Sequence, residues 1–316
     1  MSTPPEGLDT ATPIDVWSHP IYTASLSDEA RFPKARYDLV RAEVRRRGFA
    51  RLHESPRIRR RDLLRAHAAR YVDAFLEGRL DARAQRRIGL TPWTPLIRDR
   101  TLHLMGGSLA ALDAALAEGA GGHLAGGTHH AHRDFGSGYC IFNDIPIVAR
   151  AALSRGVDRV LVVDLDVHQG DGTATILASD HRCTTLSIHC RTNFPFRKAR
   201  SDVDIALAPG CSDEAYLSVL RGQLPRLVDR VLPGLVIFQA GVDPLAADHL
   251  GRLSLTRRGL RARNEVMYAH SIGRGIPTVV LMGGGYARPI EASVLAHADV
   301  FEDAARWLNM GKRPQR

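Results

Sequence analysis

The chain has 316 residues, 44% of them hydrophobic, and a formal charge of +9. That is enough apolar material for one sizeable core, and residues 1–316 are expected to form a single domain. The arginine excess lies in short scattered clusters at 45–47, 57–61 and 83–87 with no aromatic residues alternating with them, which argues against nucleic acid as the primary partner.

The residues before Ile14 are polar and Pro-rich without an apolar signal core, and no apolar run approaches a membrane span. Residues 1–30 show no regular pattern. Apolar spacing then predicts helices over 34–47 and 60–78, and the turn-rich stretch 91–95 leads into a third over 99–118. From residue 121 the pattern becomes regular. Apolar runs at 123–126, 160–167, 184–189, 235–239 and 278–282 read as strands, separated by helices over 143–155, 213–231 and 256–273 and followed by one over 289–308. Strands apolar on both faces, alternating with helices, predict an α/β fold with a mostly parallel central sheet covered on both sides. The four cysteines, Cys140, Cys183, Cys190 and Cys211, show no CxxC spacing, which argues against a thiolate zinc site. A reducing, cytoplasmic setting is expected.

Polar chemistry gathers at the ends of four of these runs. Gly126-Gly127-Thr128-His129-His130 follows the first, and Asp164, Asp166, His168 and Asp171 close the second. Gly241-Val242-Asp243 follows the fourth, and Gly283-Gly284-Gly285-Tyr286 the fifth. In an open parallel sheet such ends converge on one crevice. A buried run has no reason to finish in carboxylates and an imidazole unless the charges are paired or bind a metal. Asp166 and His168 are two apart on an extended segment and face the same way. With Asp243 they make a two-carboxylate, one-imidazole set suited to zinc or iron(II), with a position left open. Any one of these residues alone reads as a loop cap; the cluster does not.

The tandem His129 and His130 can present two ring nitrogens to one reacting group. Each needs a partner to hold its tautomer and pKa, and Asp164 and Asp171 are available. Tyr286 offers an O–H to an oxyanion on a carbonyl. Gly138 and Tyr139, in the Ser-Gly-Tyr-Cys-Ile-Phe-Asn-Asp stretch, and Phe194 with Phe196 are candidates for the walls of a narrow apolar slot.

Taken in order, Gly-Gly-Thr-His129-His130, Ser-Gly138-Tyr139-Cys-Ile-Phe-Asn-Asp, Asp164-Leu-Asp166-Val-His168-Gln169-Gly-Asp171, Gly-Val-Asp243 and Gly-Gly-Gly-Tyr286 resemble the histone deacetylase superfamily, which includes acetylpolyamine amidohydrolases and acetoin-utilisation proteins. Gln169 stands where many members carry a second histidine, a feature most similar to class IV members and their bacterial relatives. The resemblance implies a three-layer α/β/α arginase/deacetylase-like fold. It also implies a zinc-dependent hydrolase of acylated amines, removing acetyl or longer acyl groups from acylated lysine.

By matching motifs it implies Asp166, His168 and Asp243 as zinc ligands. His130, held by Asp171, would be the general base and acid; His129, held by Asp164, its electrostatic partner; Tyr286 the carbonyl-polarising donor. Gly138, Tyr139, Phe194 and Gly284 would contact substrate. A structural potassium ion is implied near Asp164, Asp166, His168, Ser187 and Ile188. An acetylpolyamine substrate is the main alternative, but no acidic loop is evident and the positive charge argues against a polycation. Arginase-like chemistry would want two manganese ions and more carboxylates. A non-catalytic scaffold would be expected to have lost a ligand, a histidine or the tyrosine.

Overall fold

Successive residues of the central strands point to opposite sides, and both sides are apolar. Val160 and Val162, Leu235 and Ile237, and Val279 and Leu281 share one core with Ala111, Leu112, Val148 and Ala152. Their neighbours Leu161, Val163, Val236, Phe238 and Val280 belong to a second core with Leu224, Met267 and Phe301. Burial on both faces is what removes polar alternation from these strands and requires helices above and below.

The computed structural model describes residues 12–30 and 32–311. In chain order the first half contains β1 (Ile14–Ser18), α1 (Ile21–Ala24), α2 (Ala35–Arg47), β2 (Ala50–Glu54), α3 (Arg60–Leu63), α4 (Ala69–Leu76), α5 (Ala82–Ile88), α6 (Ile97–Glu118), β3 (Ala120–His123) and α7 (Asp144–Ser154). The second half contains β4 (Val160–Asp164), α8 (Asp171–Leu177), β5 (Cys183–Cys190), β6 (Val203–Leu207), α9 (Asp213–Val231), β7 (Leu235–Gln239), α10 (Arg257–Ala269), β8 (Thr278–Leu281) and α11 (Glu291–Gly311). The eight strands form one sheet in the order β2-β1-β3-β8-β7-β4-β5-β6, and all pairings are parallel. Helices α6 and α7 cover one face, and α9, α10 and α11 contribute to the other core. The expected α/β/α layering is therefore present. No described helix is long and apolar enough to cross a membrane.

Several local expectations need correction. Residues 14–18 are a strand rather than irregular chain; residues 1–11 lie outside the described residues. β3 runs over Ala120–His123, three residues earlier than the expected 123–126. Its two glycines hid it, yet they are required: a Cβ on Gly121 would lie 2.2 Å from the Ala111 carbonyl oxygen of α6. The helix expected over 60–78 is broken in two. Between the pieces, buried His67 bonds the His132 carbonyl through Nδ1 (3.0 Å), and its Nε2 accepts from Asn143 N–H (2.9 Å). Tertiary bonding thus overrides local helix propensity. The edge strands β2 and β6 are half-exposed and carry charged residues, so their apolar signal is weak.

The register sets the site. His123, Leu281, Gln239 and Asp164 lie in one row across β3, β8, β7 and β4. These four strands are adjacent, and their carboxyl ends release the four polar segments side by side.

Candidate metal and acid–base site

Asp166, His168 and Asp243 meet just beyond that row. One ligand atom from each lies within 4.8 Å of the others. His168 Nδ1 is 3.0 Å from Asp166 Oδ1 and 3.2 Å from Asp243 Oδ2. The outward oxygens are already bonded: Asp166 Oδ2 accepts from Gly284 N–H and Gln239 Nε2 (both 2.9 Å), and Asp243 Oδ1 from Val167 N–H (2.9 Å). The inner oxygens turn towards the imidazole. Burial, and next the facing Asp166 carboxylate, push the Asp243 pKa up to about 7. Two fully buried carboxylates confronting each other are an unfavourable arrangement that a shared divalent cation relieves. The donor set thus fits zinc or iron(II).

Gly284 is where the backbone must come closest. A Cβ there would lie 2.1 Å from Asp243 Oδ2 and 2.7 Å from Asp166 Oδ2. Gly284→Ala is therefore expected to displace one of these carboxylates, at a cost of about 1–3 kcal/mol in stability and roughly 10–100-fold in affinity for added zinc. Thermal denaturation with a competitive zinc titration checks this; wild-type values in both would mean the glycine does not set the ligand geometry.

The tandem histidines adjoin the cluster. His129 Nδ1 donates to Asp164 Oδ2 and His130 Nδ1 to Asp171 Oδ1, each over 2.7 Å, and the two rings are 4.1 Å apart. Their charge states diverge. Burial lowers the His129 pKa, but Asp164 and Asp166 outweigh it and hold the value up at about 9. Burial, reinforced by the cationic His129, lowers His130 to about 4 in spite of Asp171. The aspartates thus favour a charged His129, and burial a neutral His130 beside it. His132, to which the sequence assigns no chemistry, also reaches Asp171, Nε2 lying 3.2 Å from Oδ2.

His129, His130, Asp166, His168 and Gly284 line a cavity of about 530 Å³. Phe194 stands edge-on to His130, with ring centroids 4.8 Å apart. Gly138, at φ +52°, faces the same ring, and a Cβ there would come within 2.6 Å of His130 Cδ2. Tyr139 and Tyr286 stand 6.1 Å apart along the wall. Burial pushes the Tyr286 phenol well above its usual pKa, so it is a neutral donor at physiological pH. Phe196 also lines the cavity but is 92% exposed, a rim residue rather than a wall. Asp164 pairs in register with Ser187, which brings the segments named for potassium next to each other. Gln169 is turned away from Asp166, His168 and Asp243; its amide bonds Ala199 and Asp204 and anchors the chain entering β6.

The sequence reading missed a supporting layer. Gln239 reaches Asp166 Oδ2, the Gly127 carbonyl and the Gly241 N–H. Its signal was available: like Asp164, it is a polar residue ending an apolar strand. Asp144, at the start of α7, accepts from the N–H groups of Gly127 and Thr128 and from the hydroxyls of Thr128 and Ser108, and so sets the turn before the histidines. Asn143 bonds the His129 and Ala131 carbonyls. Arg36 donates to the Gly285 carbonyl (2.8 Å) and lies over the Tyr286 ring.

The layered sheet with this site at its carboxyl edge is an arginase/deacetylase-like architecture. A model of the histone deacetylase domain matches residues 30–300, and the chain belongs to the histone deacetylase family. It is 40% identical over 292 residues to an uncharacterised protein of Picosynechococcus sp., covering 91% of this chain and 97% of that one. It is 30% identical over 264 residues to Histone deacetylase 2 of Arabidopsis thaliana, covering 80% and 67% of the two chains. Several other curated histone deacetylases are longer, and the match spans 34% to 48% of their length. Among solved structures, acetylpolyamine aminohydrolase from Burkholderia pseudomallei shares the fold with a TM-score of 0.77 at 20% identity, over 92% of this chain and 98% of that one.

Proposed function

We propose that this protein is a zinc-dependent amide hydrolase that removes acetyl or longer acyl groups from acylated lysine side chains. The observation that carries the reading is the Asp166–His168–Asp243 cluster beside two histidines that are each held through Nδ1 by a buried aspartate. Those three residues would hold the zinc, which when bound polarises the acyl carbonyl and acidifies water.

The chain's own groups account for the proton movements. His130 has Nδ1 committed to Asp171, so its free lone pair is on Nε2. Being neutral, it accepts the proton of the water that attacks the acyl carbon. His129 stays cationic and balances the negative charge that develops on the former carbonyl oxygen. Tyr286 donates its O–H to that oxygen. As the C–N bond breaks, His130 returns the proton to the departing amine nitrogen. Gly138, Tyr139 and Phe194 enclose the methylene stem, with Gly284 beside the carboxylates. The main-chain carbonyls of Asp164, Asp166 and His168, with Ser187 and Ile188 on the neighbouring strand, would hold a structural potassium ion. The four cysteines are free thiols, three of them buried.

An acyl-chain series on lysine peptides, run beside acetylputrescine, tests the proposal. Turnover of peptides should be lost on chelation and restored by one zinc per chain. Faster turnover of acetylputrescine would move the activity to small amines, and two bound ions per chain would favour arginase-like chemistry.

A further inference from the structure

The opening of the cavity carries charge that the proton chemistry does not use. Arg87, in the last turn of α5, and Arg252, after β7, line it from opposite parts of the chain, and both are exposed. A second depression shares Tyr139, Leu250 and Tyr286 with the cavity and is lined by exposed Arg288. None of the three arginines is ion-paired among the described residues. Among the described residues, Asp166, on the floor, is the one carboxylate lining either depression. The acid of the neighbouring loop, Asp248, is buried and turned to the N–H groups of Leu250, Gly251 and Tyr286.

The Arg87 side chain and the Arg252 main chain are held in place. The Arg87 guanidinium lies 4.8 Å over the Phe135 ring. Arg252 N–H donates to Asn193 Oδ1 (3.1 Å), and its carbonyl accepts from Gly210 N–H (2.7 Å). Asn193 also donates to the Leu250 carbonyl (2.7 Å), tying this loop to Phe194 and the catalytic side of the tunnel. Between the cations stand two exposed apolar side chains, Phe196 and Leu250. Guanidinium groups without a carboxylate partner around an apolar lip attract anionic chain and repel cationic chain.

We infer that the rim selects acylated lysines carried on acidic, partly apolar polypeptide, with Asp or Glu beside the modified residue, and disfavours polycations. This rests on the lysine-deacylase reading. The interspersed Phe196 and Leu250 favour polypeptide over nucleic acid, since two apolar side chains among three cations give no run of stacking platforms.

The test compares three acetyl-lysine peptides with neutral, Glu/Asp or Lys/Arg flanks, using the zinc-loaded full chain at low and high salt. At low salt kcat/KM should be about tenfold higher for acidic than for basic flanks, carried by KM and shrinking in high salt. Arg87→Glu/Arg252→Glu should reverse the order. Arg226→Glu/Arg230→Glu, an equal charge change in the last turns of α9, should leave it unchanged. Equal values for all three peptides, or the same order in the rim variant, would overturn the inference while leaving the deacylase reading intact. No turnover of even the neutral peptide would overturn both. Stronger inhibition of neutral-peptide turnover by a single-stranded oligonucleotide than by polyglutamate would assign the rim to nucleic acid instead.

Discussion

A His130→Ala variant is expected to lose kcat by roughly 10²–10⁴-fold, the usual contribution of a positioned general acid–base. The argument is electrostatic and geometric. His130 is buried and its Nδ1 is bonded to Asp171, while burial and the neighbouring cationic His129 keep it unprotonated. It is thus the neutral imidazole of the pair, with one nitrogen left to move a proton. The proposed zinc ligands do not include it, so zinc stoichiometry should stay at one per chain. Measured metal content and circular dichroism separate loss of chemistry from loss of the fold. Turnover within a few-fold of the parent, in a folded and metal-loaded variant, would remove His130 from the proton path.

Tyr286→Phe should cost roughly 10²–10³ in kcat, the range found on losing one oxyanion donor. The substitution keeps the ring, which packs edge-on to Phe32 and lies beneath Arg36. Only the hydroxyl leaves, so stability and zinc binding should hold. KM should change little, because the donor is engaged chiefly when charge develops on the oxygen. Parallel losses in kcat and in metal content would instead place the tyrosine among the supports of the metal. Unchanged kcat would mean that the oxyanion is stabilised without it.

The site residues were legible because they violate the local rule of their surroundings. Asp164, Asp166 and His168 close a run of buried aliphatic residues, and nothing but paired or metal-bound charge explains that in a strand covered on both faces. His129 and His130 stood out as an imidazole pair behind two glycines. Apart from Gln239, the supporting groups carried no such contrast. Asp144 reads as part of an ordinary helix start, Asn193 as a loop amide, and Arg36 as one more member of a basic helix. Each acts across a long sequence separation: Asn193 on the 250–252 loop, Arg36 on the Gly285 carbonyl. Polar residues of this kind are common in loops, and only the partner reveals the role.

The fold divides along the same line. From the sequence alone come the parallel α/β class, the central strands and the four polar segments at their ends, because two-sided burial and strand length are local properties of the chain. Tertiary structure alone decided that β3, β8, β7 and β4 lie side by side, that β3 is built on glycines so that α6 can approach, and that the helix over 60–78 breaks for His67. Those outcomes depend on which segments meet. Contact energies between segments remote in sequence leave no periodic trace in either one.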